Sequence, residues 1–134
     1  MRDLAIKIAF SFLGRPYIWG GDDPSGFDCS GLMIEILKSI GRLLRSGDWT
    51  ASGLADKWPI SNLPIRGDLV FWENTSGQII HVEMLMGDGL AIGASGGGSR
   101  TLTTADAVAQ NAYIKIRPIK SRGGVWGYTN PYGD

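Results

Sequence analysis

The 134-residue chain has one cysteine, one histidine and no surplus of charge, with 13 Lys and Arg against 13 Asp and Glu. One cysteine cannot close an intrachain disulfide, so no covalent framework supports the fold. One Cys and one His cannot furnish a zinc site of three or four Cys/His ligands, and no metal or other cofactor is expected. A chain without a basic excess is not expected to bind nucleic acid. No apolar run approaches the roughly 18 residues of a membrane span. Lys7 interrupts the one hydrophobic segment near the N-terminus and no small-residue cleavage site follows it, so no secretory signal is read and the chain is expected to be made in the cytoplasm.

What is present fits one compact domain over residues 1–134, 43% hydrophobic and with 20 glycines that foretell many turns. Leu4, Ile8 and Phe12 recur at helical spacing beside Ala5 and Ala9, with Gly14 at the stop, which predicts a first helix over residues 3–13. Residues 15–28 are turn-rich. A second helix is expected from Cys29 to Ile40, with Asp28 as N-cap and Leu32, Met33, Ile36, Leu37 and Ile40 inward. Thr50 caps a short third helix that turns Leu54 and Trp58 inward. From Gly67 onwards the pattern changes to strands at 68–72, 79–86, 90–94 and 112–119, with Asp88-Gly89 as a hairpin signal. Helices followed by an antiparallel meander define an α+β fold. The aromatic tail, residues 123–134, is expected to cover an edge of the sheet.

The chemistry centres on Gly26-Phe27-Asp28-Cys29-Ser30-Gly31. A thiol in the first turn of a helix faces unpaired N–H groups and the positive end of the helix dipole, which stabilise a thiolate by roughly 0.3–1 kcal/mol. The same groups can receive the oxyanion of a tetrahedral intermediate. A lone cysteine is more often a small buried hydrophobe, but a helix start between Asp28 and Ser30 is a poor place for one. A nucleophilic thiol needs an imidazole, and His81, read as opening a strand, is the one the chain has.

These residues carry a resemblance. Leu13-Gly14-Arg15-Pro16-Tyr17-Ile18-Trp19-Gly20-Gly21 and the Cys29 segment, then Arg66-Gly67-Asp68-Leu69-Val70-Phe71-Trp72, then His81-Val82 with Met86-Gly87-Asp88-Gly89, follow in order the pattern of the NlpC/P60 cysteine peptidases. That resemblance implies a papain-like α+β fold and hydrolysis of peptidoglycan stem peptides, often between γ-D-Glu and a diamino acid. It implies Cys29 as nucleophile, His81 as general base, and Tyr17 near the oxyanion or the substrate carbonyl. Asp28 and Ser30 match positions that line the substrate pocket and can hold a free amino terminus, a role Asp28 could combine with capping. Trp19 either walls the groove or packs as a buried aromatic.

Two positions depart from the family pattern. Relatives carry a third polar residue, often His, about twelve positions after the catalytic His, and Gly93 stands there. Glu83 occupies a position that is usually Gly. Orientation of His81 is therefore expected from a backbone carbonyl, from Ser95, or from a group on another strand such as Asn111. The leading expectation is a thiol hydrolase acting on bacterial cell-wall peptides, carried by a phage or delivered to the wall by another machine. The alternatives are a catalytically weak module that binds such peptides, and a thiol amidase or acyltransferase on some other amide. The Ser95–Ser99 segment lacks the Lys-Ser/Thr ending of a phosphate loop and reads as a rim loop. Asp22 and Asp23 read as solvated carboxylates, and Asp68 as a turn residue that engages local backbone.

Overall fold

The computed structural model describes residues 1–18, 22–23, 26–47, 49–96 and 100–134, with the backbone alone described at 22–23 and 26–27. Helix α1 (Arg2–Ser11) buries Ala5, Ile6 and Ala9, a narrower face than the spacing predicts, and leaves Leu4 half exposed. Strands β1 (Asp22–Asp23) and β2 (Gly26–Phe27) form a short antiparallel pair inside the turn-rich stretch. They hand the chain to α2 (Cys29–Ser39), whose N-cap is Asp28: its Oδ1 accepts the Gly31 N–H at 2.6 Å. Leu32, Met33, Ile36 and Leu37 of α2 are completely buried, and the positive φ of Gly41 (80°) turns the chain away after the helix. Thr50 caps α3 (Ala51–Lys57), as expected, by accepting the Gly53 N–H.

Strands β3 (Leu69–Glu73), β4 (Ile79–Gly87) and β5 (Leu90–Ser95) come next, followed by α4 (Thr104–Gln110), β6 (Tyr113–Pro118), a 3-10 turn (Ile119–Ser121) and β7 (Val125–Thr129). Among the described residues five strands make an antiparallel sheet in the order β6-β5-β4-β3-β7. Asp88 and Gly89, both at positive φ, close the β4–β5 hairpin. The α+β arrangement is therefore the expected one, with two additions. Helix α4 follows a capping box between Thr103 and Asp106, and the tail covers the β3 edge of the sheet, as expected, by pairing along it as a strand.

The sheet is covered on both faces. Phe71, Val82, Met84 and Ile92 face the helices in the main core, while Val70, Trp72, Leu85 and Ala91 meet Ile119 on the other side. Because β4 lies between two neighbours and under both layers, its central residues are all buried, and His81 is the third residue of this strand rather than its opening one.

A polar clasp joins the two ends of the chain. Arg2 donates to Asp68 Oδ1 at 2.7 Å and to the carboxylate of Asp134, and its guanidinium stacks on Tyr132 at 4.5 Å. Asp68, 1% exposed, also accepts from Ser61 Oγ at 2.8 Å and, as expected of local backbone, from the Ile65 N–H at 3.0 Å. Gly67 at φ +93° keeps room for this arrangement, since a Cβ there would stand 2.5 Å from Arg2 Cγ. Removing the Asp68 carboxylate leaves the Ser61 hydroxyl and the Ile65 N–H without their acceptor, so Asp68→Ala is expected to lower stability by about 2 kcal/mol. Urea denaturation followed by tryptophan fluorescence checks this.

Candidate active site

Three segments converge on Cys29. The first is α2 itself, with Cys29 as its first helical residue. The second is β4, whose Val82 backbone N–H hydrogen-bonds the Cys29 sulfur alongside the N–H of Ser30. The third is the strand-like stretch at Pro16 and Tyr17, tied to the sheet through a bridge to Tyr113 and the Tyr17 N–H to Ala112 O bond of 2.9 Å. Val82 is the neighbour of His81 in β4, so docking the helix terminus on the strand brings thiol and imidazole segments together.

Desolvation opposes the helix terminus at the partly buried Cys29. Desolvation pushes the thiol up to about 11, and the two N–H groups only partly oppose it, with Asp28 adding to the rise. A helix-end effect of ~0.3–1 kcal/mol amounts to less than one pH unit, because a unit corresponds to ~1.4 kcal/mol. The shift is thus upward where the helix start alone led to an expected lowering, because desolvation favours the neutral thiol. Tyr17 is likewise buried, which raises its phenol to about 12, with the nearby Cys29 and Asp28 adding to the rise. It stays a neutral hydrogen-bond donor beside the Cys29 thiol.

His81 is 5% exposed, and its ring lies against Trp72, its register partner on β3, at a centroid distance of 5.2 Å. Trp72 is itself fixed by an Nε1–H bond of 3.0 Å to the Arg122 carbonyl. His81 Nε2 meets Glu83 Oε2 at 2.5 Å. A carboxylate only accepts, so Nε2 carries the ring proton and Nδ1 is left bare as the basic nitrogen. Desolvation holds the imidazole below its usual range, and the contact with Glu83 pulls against that.

Of the residues singled out in the sequence, Cys29, Tyr17, Asp28 and Ser30 fall together, and Ser30 Oγ donates to Asp28 Oδ1 at 3.3 Å. Trp19 lies outside the described residues, and the side chains of Asp22 and Asp23 likewise. The group that meets the His81 ring is neither Ser95 nor Asn111. Ser95 Oγ accepts from Arg122 at 3.4 Å, and Asn111 is an exposed left-handed cap at the end of α4 whose carbonyl takes Lys115 Nζ. Glu83 fills that place because residues two apart on a strand share a face. The signal in the sequence was the departure at Glu83 and at Gly93 taken together.

A thiol on a helix terminus, a strand-borne imidazole with its distal nitrogen held by a carboxylate, and a helix-then-meander topology define the papain-like class. The chain belongs to the NlpC/P60 family, whose model matches residues 14–118. It is 42% identical over 92 residues to a gamma-D-glutamyl-L-lysine dipeptidyl-peptidase of Bacillus cereus (65% of this chain, 26% of that one). To the Bacillus subtilis protein of the same name it is 33% identical over 118 residues, 84% of this chain and 39% of that one. The crystal structure of an NlpC/P60 family protein from Bacillus cereus superposes with a TM-score of 0.79 at 27% identity, covering 97% of this chain and 40% of that one. The chain thus spans well under half the length of these relatives.

With the thiol held at about 11, alkylation of Cys29 by iodoacetamide in the ligand-free protein is expected to be slower at pH 7 than that of free cysteine and to climb towards pH 11. Mass spectrometry of the single labelled residue follows this. Faster labelling than free cysteine at pH 7 would instead reveal a preformed thiolate. Asp28→Ala should cost about 1 kcal/mol through the lost cap, read as a lower denaturation midpoint.

Proposed function

We propose that this domain is a thiol peptidase that hydrolyses an amide bond in bacterial cell-wall stem peptides, at the bond between γ-D-Glu and the following diamino acid. The observation that carries the reading is the Cys29 sulfur set on the Val82 N–H, one residue from an imidazole whose Nε2 is engaged and whose Nδ1 is bare. The names of the two Bacillus relatives support the choice of bond.

The chemistry follows from these positions. His81 Nδ1 takes the proton as Cys29 Sγ bonds to the carbonyl carbon, and the carbonyl π electrons move to oxygen. The neutral Tyr17 hydroxyl, near enough to Cys29 to feel its charge, is the donor we assign to that oxyanion. Collapse breaks the C–N bond, and the imidazolium returns its proton to the leaving amine. Water then attacks the thioester with His81 again as base, releasing the acid and restoring the thiol. Asp28 and Ser30, side by side at the helix start, suit a free ammonium group at the amino end of the stem peptide. The alternative of a weak binding module rested on the lack of a group to orient His81, and the Glu83 contact takes that ground away.

Purified muropeptides incubated with the protein and analysed by mass spectrometry test the reading. The wild type is expected to release fragments that each gain the elements of water across the γ-D-Glu bond. Cys29→Ala should be slower by about 1,000-fold or more. Identical products from both proteins would overturn it.

A further inference from the structure

Glu83 and Gly93 form a matched pair across two strands. The β4–β5 register sets Met84 against Ile92 and Leu85 against Ala91, and continuing it puts Glu83 opposite Gly93. A Cβ built on Gly93 would stand 2.9 Å from Glu83 Cδ and 3.1 Å from Glu83 Cβ, with Cγ closer still. Gly93 has an ordinary φ, so no backbone demand explains the glycine. It is glycine because the Glu83 side chain lies over it. That side chain is 4% exposed in the middle of β4, where His81 is the one other buried polar side chain, and its Oε2 meets His81 Nε2 at 2.5 Å. A buried carboxylate next to a buried imidazole is costly to keep unless each satisfies the other, and here they do.

We propose that Glu83 is the positioning residue of His81, holding the Nε2–H tautomer and the ring direction from within β4, and that Gly93 is the vacancy on β5 that lets it do so. This rests on the thiol-peptidase reading for its consequence in catalysis, but the state of the ring can be read without substrate. Arg117 of β6 and Arg122 after the 3-10 turn act on His81, Lys115 of β6 faces Glu83, and Asp28 and Arg122 act on Cys29 at the α2 end. Arg122 and Arg117 disfavour an imidazolium, so Glu83 is the group that favours it.

The single histidine makes nitrogen-15 NMR of the ring unambiguous. In the wild type the neutral ring is expected in the Nε2–H form. In Glu83→Gln, which keeps shape and an acceptor but loses the charge, the ring's titration midpoint should fall by about one pH unit or more, and the acid limb of kcat/KM should fall with it. Glu83→Ala should lower kcat on the order of 100-fold with a smaller change in KM. Glu83→Ala/Gly93→Glu returns a carboxylate to the same space from β5 and should recover at least tenfold of that loss. An Nδ1–H tautomer in the wild type, or an unmoved midpoint in Glu83→Gln, overturns the proposal. If the NMR outcomes hold while neither the wild type nor any variant cuts muropeptides, it is the peptidase reading that has failed.

Discussion

The hydrogen bond from the Val82 backbone N–H to the Cys29 sulfur is the contact on which the site depends. It exists because the first turn of α2 is docked against β4, and that docking is held by the apolar face Leu32, Met33, Ile36 and Leu37 against Val82, Met84 and Ile92. Asp28 sets where the helix begins, so it also sets which residue meets the strand. A shift of one residue in either element would turn the thiol away or put His81 on the wrong face. Packing on one side of the sheet thereby fixes chemistry at its end.

The other side of the sheet holds the imidazole. His81 and Glu83 sit on the face shared with Trp72, under Ile119 and Arg122, where polar side chains are expensive to bury. Their mutual contact removes most of that cost and rigidifies both groups. The price of orientation is low basicity, since the burial that fixes the ring also holds it below its usual range. With the thiol raised as well, both shifts favour the uncharged forms, and in the proposed mechanism charge separates when substrate is attacked. Such an arrangement places stabilisation where charge develops rather than where it would sit idle.

Much of this was legible from residue patterns. The N-cap at Asp28, the buried stripe of α2, the Asp88-Gly89 hairpin and the α+β order all follow from local rules that act over a few residues. The elements that escaped were those with weak local signals. Helix α4 is one short turn-rich segment whose capping box, Thr103 with Asp106, is its main mark. Strand β7 has value only against β3, where Trp126 meets Phe71 edge to face at 5.9 Å. Neither could be weighed without a partner.

From the sequence alone came the candidate thiol, the one available imidazole and the family pattern around them, because a count of one leaves no choice and because helix caps and strand periodicity are local properties. The tertiary structure decided what those residues experience. Desolvation raises the Cys29 thiol where the helix end alone would lower it. Strand pairing turned two apparent defects, a glutamate where small residues are usual and a glycine where a polar one is usual, into one fitted contact on His81. Which side chain shares a face with the ring, and which position must be empty to admit it, is settled only when two strands lie side by side.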